Sequence, residues 1–512
     1  MEEIPPKMIA VIDIGANSIR FAIAQAYSDG KVEMVEYLTQ GVWLGKDTFQ
    51  HGRLSAQTMR AGLEILKRFR KLHDQYRVEL LRAVATASIR EASNADIFID
   101  RIRLATGIDV EIIDPPEEIQ YSVAAVQDSL ETDFQQPGKN ILIAEVGGGN
   151  TLLSILCDGT VVNSQSLNIG AIRMREFFAS PEESSQSMTA LFRHHISEVL
   201  NSAETYFPFS GNDYFITMGG DTRLAADQIG RPSAFQNLTE VRTEDFDFFV
   251  ERCSQMDSPQ ISREFGVSFQ RAETTVPALL AYQEMLHRSR LSSFLVSRVS
   301  MRHGLLADLA REAWGMENSY FQKDVRDSAR SLALRFRVDL EHAHQTMELA
   351  GRIFDAMKAE HGLGQRYRLL LQVAALLQNC GKFVNNRSFH KHSYYLISHS
   401  EIFGLSQTDT EMIAQTARYS YHSGPKSSHT AFMFLSRKSR VIISKLAAML
   451  RIADALNQGE APRPDQIRFE RIGDEWTLYL PPNDGFLLKC RALETQGKMF
   501  EEIFGMRIYF EI

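Results

Sequence analysis

Short apolar runs alternate with amphipathic stretches over about the first 310 residues of the chain. The segments MIAVIDIG, SIRFAIAQA and VEMVEYL have the length and composition of strands. The segment LSAQTMRAGLEILKRFRKLHDQY has helical periodicity, with Ser55 as a plausible N-cap, and LLRAVATASI and VEIID are again strand-like. This alternation predicts α/β layers in the N-terminal half.

The pattern changes at about residue 320, beyond which helical periodicity dominates. DSARSLALRF, LEHAHQTMELAGRIFDAMKAE, YRLLLQVAALLQNCGKF and SRVIISKLAAMLRIADAL predict a separate all-α domain. After Pro462 and Pro464, the segments IRFERI, EWTLYLP, FLLKCRA and MRIYFEI are interpreted as strands and TQGKMFEEIFG as a helix. These last segments predict a small α+β domain at the end of the chain.

An internal repeat occurs within the N-terminal half. In VIDIGANSIRFAI and in NILIAEVGGGNTLLSILCDGTVV, an apolar strand reaches a carboxylate, turns through small residues and continues as a second strand. The matched pairs are Asp13 with Glu145, Gly15 with Gly147, and Ser18 with Asn150. Two copies of one unit predict two related lobes that face each other, with a boundary near residue 130.

The length of 512 residues suggests about three or four domains. The predicted domains are a first lobe over residues 1–130, a second lobe over 131–312, a helical domain over 313–463 and the α+β domain over 464–512.

The overall composition excludes several classes of protein. The net charge of −8 does not favour nucleic acid as a partner, so an anionic ligand would need a local positive site. No apolar run approaches the roughly 18 residues of a membrane span, and the N-terminal residues do not resemble a signal peptide. The four cysteines are scattered, which indicates neither a zinc site nor a disulfide framework and fits a reducing cytoplasm.

The two matched turns are the main candidates for chemistry. Small residues after a strand allow backbone N–H groups to approach an anion, and Asp13 and Glu145 could hold Mg²⁺ between the lobes. Two ordinary hairpins are the alternative. A third glycine pair, Gly219-Gly220, leads from a strand into a helical segment whose N-terminus suits an anion, but taken alone this pair is better explained by a plain turn and cap.

The segment EIIDPPEEIQYSVAAV contains a carboxylate that helix capping does not explain. Asp114, Pro115 and Glu117 fit an N-cap, the first helical position and a capping box. Glu118 is expected to stay ionised beside the helix dipole and could act on water as a base, or it could be a solvated helix residue. Arg90, just after a strand, is a candidate partner for phosphate or an ordinary surface arginine.

Six segments together resemble the exopolyphosphatase / guanosine pentaphosphate phosphohydrolase family, which has the actin-like (ribonuclease H-like) phosphotransferase superfold. They are VIDIGANSIRFAI, ATASIREASNADIFIDRI, EIIDPPEEIQ, EVGGGNTLLSI, MGGDTRLAA and SRVSMRHGLLADLA, in order across residues 8 to about 310. The resemblance implies two actin-like lobes and a cytoplasmic exopolyphosphatase, dependent on Mg²⁺ or on Mn²⁺ in its place, that releases terminal orthophosphate from inorganic polyphosphate. It also implies a homodimer.

The resemblance assigns roles to individual residues. It implies that Glu118 is the base and that Asp13 and Glu145 are the metal carboxylates. The residues implied to bind phosphate are Asn17, Ser18, Arg90, Gly147, Gly148, Gly149, Asn150, Gly219 and Gly220. The family usually has Asp in place of Glu145 and Ser in place of Asn150, so the position or choice of the metal is open to change.

The helical region resembles a His-Asp metal phosphohydrolase domain whose metal site is degenerate. His342 and Asp454 occupy matching places, but Gln378-Asn379 replaces the paired His-Asp. The loss of two adjacent ligands should abolish a dinuclear metal centre, so this domain is expected to be catalytically silent.

Two other functions fit the same residues. The cleft could hydrolyse guanosine pentaphosphate to the tetraphosphate as well. No segment of the sequence is recognisable as a binding motif for the guanine base. The chain could also be a non-catalytic phosphate or nucleotide sensor.

Overall fold

The computed structural model describes residues 4–130, 138–178, 185–316, 319–421, 424–482 and 485–512. The chain divides into two units, Met1–Tyr320 and Phe321–Ile512. The predicted break after residue 312 lies near this division, whereas the predicted boundary near residue 130 adjoins residues 131–137, which lie outside the described residues. Within the described ranges, no helix combines the length and the apolar character needed to cross a membrane.

The first unit begins with a five-stranded sheet in the order β3-β2-β1-β4-β5. Its strands are β1 (Lys7–Ile14), β2 (Ser18–Ala26), β3 (Val32–Gly41), β4 (Leu80–Ala85) and β5 (Val110–Ile112). β1 pairs antiparallel with β2 and parallel with β4. The buried strand β1 therefore lies at the centre of the sheet, with its carboxyl end at the edge where β4 also ends.

The second sheet of this unit has the order β10-β11-β12-β9-β6-β7-β8. Its strands are β6 (Asn140–Val146), β7 (Thr151–Cys157), β8 (Thr160–Leu167), β9 (Tyr214–Met218), β10 (Arg231–Pro232), β11 (Leu238–Arg242) and β12 (Ser293–Ser297). β6 pairs antiparallel with β7 and parallel with β9. The order β8-β7-β6-β9-β12 repeats the order of the first sheet, which confirms the internal repeat.

The matched turns of the two sheets have the same hydrogen bond. Gly15 N–H donates to Ser18 O at 3.1 Å, and Gly147 N–H donates to Asn150 O at 2.8 Å. The same register places Arg20 opposite Asp13, whereas the residue opposite Glu145 is an apolar leucine, Leu152. The two copies therefore have the same backbone conformation at the turn, but a cation faces the carboxylate in only the first of them.

Helices cover the sheets of the first unit. They are α1 (Leu44–His51), α2 (Ala56–Gln75), α3 (Ala87–Arg90), α4 (Ala95–Thr106), α5 (Pro115–Ser129), α6 (Ala171–Phe178), α7 (Ser185–Glu204), α8 (Gly220–Ile229), α9 (Thr243–Ser254), α10 (Ser258–Phe265), α11 (Phe269–Ser289) and α12 (Met301–Ala313). α2 begins as predicted, with the Ser55 hydroxyl accepting from Thr58 N–H at 3.2 Å. Its buried face, which includes Leu66 and Phe69, packs on Phe21 of β2.

The second unit combines helices with a three-stranded sheet in the order β13-β14-β15. Its elements are α13 (Ser319–Arg335), α14 (Leu340–Ala356), α15 (Lys358–His361), α16 (Gln365–Leu377), α17 (Phe389–Ser398), α18 (Gln407–Tyr419), α19 (Thr430–Met433), α20 (Arg437–Leu456), β13 (Arg468–Ile472), β14 (Glu475–Tyr479), α21 (Phe486–Phe504) and β15 (Arg507–Glu511). Trp476 and Leu478 of the sheet share one hydrophobic core with Leu446 and Met449 of α20. The predicted boundary at 463/464 therefore does not separate two cores.

One predicted strand of this unit is wrong. The segment FLLKCRA forms the first turns of α21, which continues without interruption into the segment predicted as a helix. Because a short apolar run without alternation suits a strand or a helix equally, the pattern alone did not distinguish them. The buried Lys489 of this segment donates to the carbonyl oxygens of Gln458 at 2.6 Å and Glu460 at 2.7 Å.

α12 approaches α5 more closely than a side chain would allow. A Cβ atom on Gly304 would lie 2.8 Å from the carbonyl carbon of Tyr121, and backbone atoms of α5 cannot move aside as a flexible side chain would. The contact also bears on a predicted site residue, because α5 carries Glu118. The glycine therefore fixes how close the two helices lie.

We expect Gly304→Ala to destabilise the protein by about 1–3 kcal/mol, because the added methyl group must push α12 away from α5. Chemical denaturation of the wild type and the variant measures this difference. An unfolding free energy equal to that of the wild type would contradict the close helix contact.

Candidate active site

A cleft of about 200 Å³ lies where the matched turns of the two sheets meet. The predicted residues on its wall are Asp13, Asn17, Glu118, Glu145, Gly147, Gly148, Gly149, Asn150, Gly219 and Gly220. Two predicted residues are not on the wall. Ser18 is buried in β2, and Arg90 lies beside Glu118.

The loop between β1 and β2 offers amide groups and hides its carbonyl groups. The carbonyl oxygen of Ala16 accepts from Gly45 N–H at 2.8 Å, and that of Asn17 accepts from Val42 N–H at 3.1 Å. In the described part of the chain, no group accepts a hydrogen bond from the N–H of Ala16 or Asn17. Unpaired amides in a turn of this kind form an anion-binding surface.

The glycine loop 147–149 has the same arrangement. Its three carbonyl oxygens accept hydrogen bonds of 2.6–3.0 Å from the N–H groups of Ala171 and Ile172 and from the Arg173 guanidinium. Among the described residues, no acceptor pairs with the N–H groups of the second and third glycines. Both loops therefore present backbone donors to the cleft.

The second loop needs glycine because of space and not because of backbone conformation. A Cβ atom on Gly148 would lie 2.9 Å from the Ala16 Cβ, and one on Gly149 would lie 2.6 Å from the Phe49 ring and 2.7 Å from the Ala87 Cβ. Neither of these glycines has a positive φ angle. The two loops therefore approach each other across the cleft with no room for another side chain.

A buried tyrosine joins the glycine loop to the third predicted loop. The Tyr282 hydroxyl of α11 accepts from Val146 N–H at 2.7 Å and donates to the Met218 carbonyl oxygen. Gly219, which follows Met218, has a φ of 112° that favours glycine, and a Cβ there would lie 2.8 Å from the Tyr282 hydroxyl oxygen. One hydroxyl group thus sets the distance between the ends of β6 and β9.

Two arginines neutralise Asp13. The Nη1 atoms of Arg20 and Arg302 lie 3.1 and 2.7 Å from the Asp13 Oδ2 atom. Burial alone would raise the pKa of Asp13, but the two guanidinium groups outweigh it and hold that pKa below its ordinary value. Asp13 is therefore ionised, although it is almost entirely buried.

Glu145 has no such cation opposite it. Its Oε2 atom accepts from the Ser122 hydroxyl at 2.9 Å. Among the described residues, no hydrogen bond reaches Oε1 of Glu145 or Oδ1 of Asp13. Free carboxylate oxygens suit a hard cation such as Mg²⁺, and the donor types therefore fit. The described chain holds no cluster of three or more His, Cys, Asp or Glu side chains arranged around one metal position.

Glu118 lies at the first turn of α5, on the wall of the cleft. The predicted capping box is present, since Glu117 accepts from Asp114 N–H at 2.9 Å and Glu118 is not part of it. Arg90 Nη1 lies 2.8 Å from the Glu118 Oε1 atom, and the same nitrogen donates to the Ile113 carbonyl oxygen at 2.6 Å. Arg90 therefore holds Glu118 from the side.

The expectation that Glu118 stays ionised needs correction. Burial raises the pKa of Glu118 to about 7, although Arg90 lowers it and the helix terminus favours the charged form. The loss of hydration outweighs the effect of Arg90 on this pKa, because only 5% of the surface of Glu118 is exposed. A carboxyl group with a pKa near 7 is suited to take a proton at neutral pH.

Sequence reasoning gave no role to most of the charged residues on the wall. The cleft is also lined by Arg20, Arg223, Arg271, Arg302 and Asp221. The hairpin register from the turn at Gly15 would have placed Arg20 opposite Asp13. Arg302 lies within a family segment, but no local pattern in the sequence pairs it with Asp13, which is 289 positions away.

Comparison with known proteins decides the family. The sequence profile of the Ppx/GppA phosphatase family matches residues 23–313, and the profile of domain III of that family matches residues 325–496. The chain belongs to the Ppx/GppA phosphatase family. The resemblance stated from the sequence motifs is thereby confirmed.

Individual members of the family agree with this assignment. The chain is 22% identical over 421 residues to a guanosine-5'-triphosphate,3'-diphosphate pyrophosphatase of Vibrio campbellii, covering 80% of each protein. Its fold resembles the Ppx/GppA family member of Aquifex aeolicus, with a TM-score of 0.50, 25% identity, and coverage of 60% of this chain and 99% of that one. It also resembles an exopolyphosphatase of Cytophaga hutchinsonii, with a TM-score of 0.54, 23% identity, and coverage of 61% and 99%.

In the second unit, amide groups bind the carboxylate at the predicted degenerate metal site, which lines a cavity of about 570 Å³. The Gln378 and Gln496 amides each donate to one oxygen of Asp454, both at 3.1 Å. The His342 Nε2 atom lies 3.7 Å from Asp454, while Asn457 Nδ2 lies 3.1 Å from the other ring nitrogen. Each oxygen of Asp454 thus accepts a hydrogen bond from a protein amide. The catalytic silence of this domain remains a prediction from the sequence.

We expect the unfolding free energy of the wild type, relative to that of Glu118→Gln, to fall as pH rises from about 4.5 to about 7. The unfolded carboxyl ionises near its ordinary pKa of 4.5, whereas the folded one keeps its proton up to about 7, so rising pH favours unfolding of the wild type. The change is about 3 kcal/mol. Thermal unfolding of both proteins across this range measures it.

The control for this measurement is Glu111→Gln, which changes an exposed carboxylate in β5 and should alter stability little at any pH. If the stability of the wild type relative to Glu118→Gln rises with pH, or does not change, burial does not raise the pKa of Glu118.

Proposed function

We propose that this protein hydrolyses the terminal phosphoanhydride bond of inorganic polyphosphate and releases orthophosphate. The observation that carries the proposal is the position of Glu118, a buried carboxyl with a pKa of about 7, on the wall of a cleft formed by two loops with unpaired amides. Membership of a phosphatase family supports the reaction class.

The residues of the cleft have different roles in phosphoryl transfer. The backbone amides of Asn17, Gly148 and their neighbours bind the oxygens of the terminal phosphates. Arg223 and Arg271 on the wall offset the negative charge of the polyphosphate substrate. Glu118 in its ionised form accepts a proton from the attacking water and orients it. Because this reaction depends mainly on positioning and electrostatics, the fixed donors and charges of the cleft are suited to it.

We propose that Asp13 and Glu145 hold Mg²⁺, with Mn²⁺ as a possible substitute. Their free carboxylate oxygens are the ligand type that this cation prefers. When bound, the metal offsets the charge that develops on the phosphoryl oxygens. The cytoplasmic location and the homodimer remain predictions from the sequence.

Guanosine pentaphosphate is the second candidate substrate. The relative from Vibrio campbellii that carries a guanosine-5'-triphosphate,3'-diphosphate pyrophosphatase name aligns with 80% of this chain. The same residues would act on its terminal 5'-phosphate, since the bond to be cleaved is again a phosphoanhydride.

We expect Glu118→Gln to lower phosphate release from polyphosphate and from guanosine pentaphosphate by about 10²-fold or more, because the amide cannot accept the proton of water. Orthophosphate release with Mg²⁺ or Mn²⁺ measures this loss. The matched control is Glu117→Gln, which keeps the capping box, since glutamine also accepts from the Asp114 N–H, and should stay near the wild-type rate.

The outcomes separate the three functions. Phosphate release from polyphosphate alone supports the first candidate, and release from the nucleotide alone supports the second. A wild type inactive on both substrates would favour the sensor, and full activity of Glu118→Gln would exclude this residue as the base.

We also expect Glu145→Gln to weaken Mn²⁺ binding, because an amide oxygen lacks the charge that attracts a divalent cation, whereas Glu145→Asp should retain it. Electron paramagnetic resonance of free Mn²⁺ during titration measures binding without substrate. The control Asp109→Asn removes an exposed carboxylate outside the cleft. Equal Mn²⁺ binding by the wild type and Glu145→Gln would contradict the assignment.

A further inference from the structure

The helix that carries Arg302 begins with a capping box whose second member is a histidine. Ser300 is the N-cap of α12, and His303 occupies the third helical position, where capping boxes usually have glutamate or glutamine. The Ser300 N–H donates to the His303 Nδ1 atom at 3.1 Å, and the His303 N–H donates to the Ser300 carbonyl oxygen at 2.8 Å. The imidazole ring therefore closes the first turn of the helix.

The turn that His303 closes contains two residues of the cleft wall. Met301 and Arg302 lie between the two members of the box, and both line the cleft together with Ser300. The Nη1 atom of Arg302 lies 2.7 Å from the Asp13 Oδ2 atom, and Arg302 is buried. A shift of this turn would therefore move the guanidinium group away from the carboxylate that it keeps ionised.

The segment before the cap is held by a second residue of the cleft wall. The Arg223 Nη1 atom donates to the carbonyl oxygens of Arg298 at 3.2 Å and of Val299 at 3.3 Å. The start of α12 is thus held by Arg223 of α8 and by His303 from within the helix. An arginine keeps its charge throughout the physiological range, whereas an imidazole changes its charge there.

The hydrogen bond to Ser300 requires a neutral imidazole. Because the His303 Nδ1 atom accepts from a backbone N–H, it carries no proton, and the ring proton of the neutral form lies on Nε2. Protonation of Nδ1 turns this acceptor into a donor that faces the donor of Ser300. The capping box is therefore complete only while the ring is neutral. A glutamine at this position would keep its acceptor at every pH.

The charges around His303 oppose its protonation. In the described part of the chain, the charged and titratable side chains that line its cavity are Tyr37 of β3, Asp128 of α5, Arg223 of α8, Arg298, and Arg302 and Arg311 of α12. The one carboxylate among them is paired with Arg311. Burial lowers the pKa of His303, and the guanidinium groups of Arg302 and Arg223 lower it further. The ring is therefore neutral at pH 7 and takes up a proton in acid.

α12 also packs on the central strands of the first sheet, but their charged groups pair elsewhere. The pairs are Asp13 of β1 with Arg302, Arg20 of β2 with that same Asp13, and Arg82 of β4 with Asp308 and Glu312. These pairs leave the imidazole in a mainly positive environment.

We propose that His303 is a positioning residue of the cleft, whose neutral imidazole holds the first turn of α12 so that Arg302 stays paired with Asp13. Protonation of the ring opens the capping box and loosens this turn. This role rests on the proposed hydrolysis and deepens it, because it adds an acid-sensitive element that is separate from the base Glu118. His303 acts through Arg302 and takes no part in the bond cleavage itself.

The test is the pH profile of phosphate release from polyphosphate with Mg²⁺, from about pH 4.5 to about pH 8. Because glutamine keeps the acceptor, His303→Gln should match the wild type within about twofold at the alkaline end and exceed it by about fivefold at the acid end. His303→Ala lacks the acceptor and should be about fivefold slower than His303→Gln throughout. The titration of Glu118 is common to all three proteins and cancels in these ratios.

The matched control is His194→Gln, which makes the same chemical change at an exposed histidine of α7 outside the cleft. Its rate relative to the wild type should not change with pH.

A double-mutant cycle tests the same coupling without turnover. Chemical denaturation gives the unfolding constants of the wild type, His303→Ala, Arg302→Gln and the double variant. At the alkaline end, the double variant should differ from the product of the single effects by about threefold or more, because His303→Ala already loosens the turn that places Arg302. At the acid end this difference should vanish, since the wild-type ring is then protonated.

Parallel pH profiles of the wild type and His303→Gln would overturn the proposal, as would additive effects at the alkaline end. If the wild type releases phosphate from no substrate, the proposed function fails, and the double-mutant cycle still decides the role of His303.

Discussion

Two backbone loops approach each other so closely in this protein that only glycine fits at several positions between them. Gly148 would clash with Ala16 of the opposite loop if it carried a side chain. Gly170, at the start of α6, would likewise clash with the backbone of the glycine loop. This contact brings the ends of the two sheets together, and the carbonyl groups of both loops are bound by neighbouring segments. The unpaired amides of the cleft are the result.

Local patterns were enough to predict the sheets and their matched turns. Strand composition, the carboxylate at each strand end and the repeat of small residues placed Asp13 and Glu145 at equivalent positions, because each property depends on neighbours in sequence. Pattern did not find Arg302 or Tyr282, since each acts on a residue more than 100 positions away. The strand expected at FLLKCRA failed because a short apolar run does not specify its own geometry.

The expected charge of Glu118 illustrates a different limit. Helix capping was read correctly from the spacing of Asp114 and Glu117, and it left Glu118 without a structural role. The direction of its pKa depends on how much water the fold removes, which no short window of sequence contains. Burying an ionisable group lowers stability, and functional sites commonly carry such a cost in exchange for reactivity. Arg90 limits that cost by remaining beside it.

The amides around Asp454 determine what this part of the second unit can bind. Gln378 directly follows α16 and Gln496 lies in α21, and both donate to the same carboxylate. Replacing Gln378 alone by histidine would leave the Gln496 hydrogen bond in place and would leave Asn379 without the charge of an aspartate. Metal binding at this place would therefore need several changes at once. In the protein as it is, these two hydrogen bonds hold the Asp454 side chain in place within the second unit.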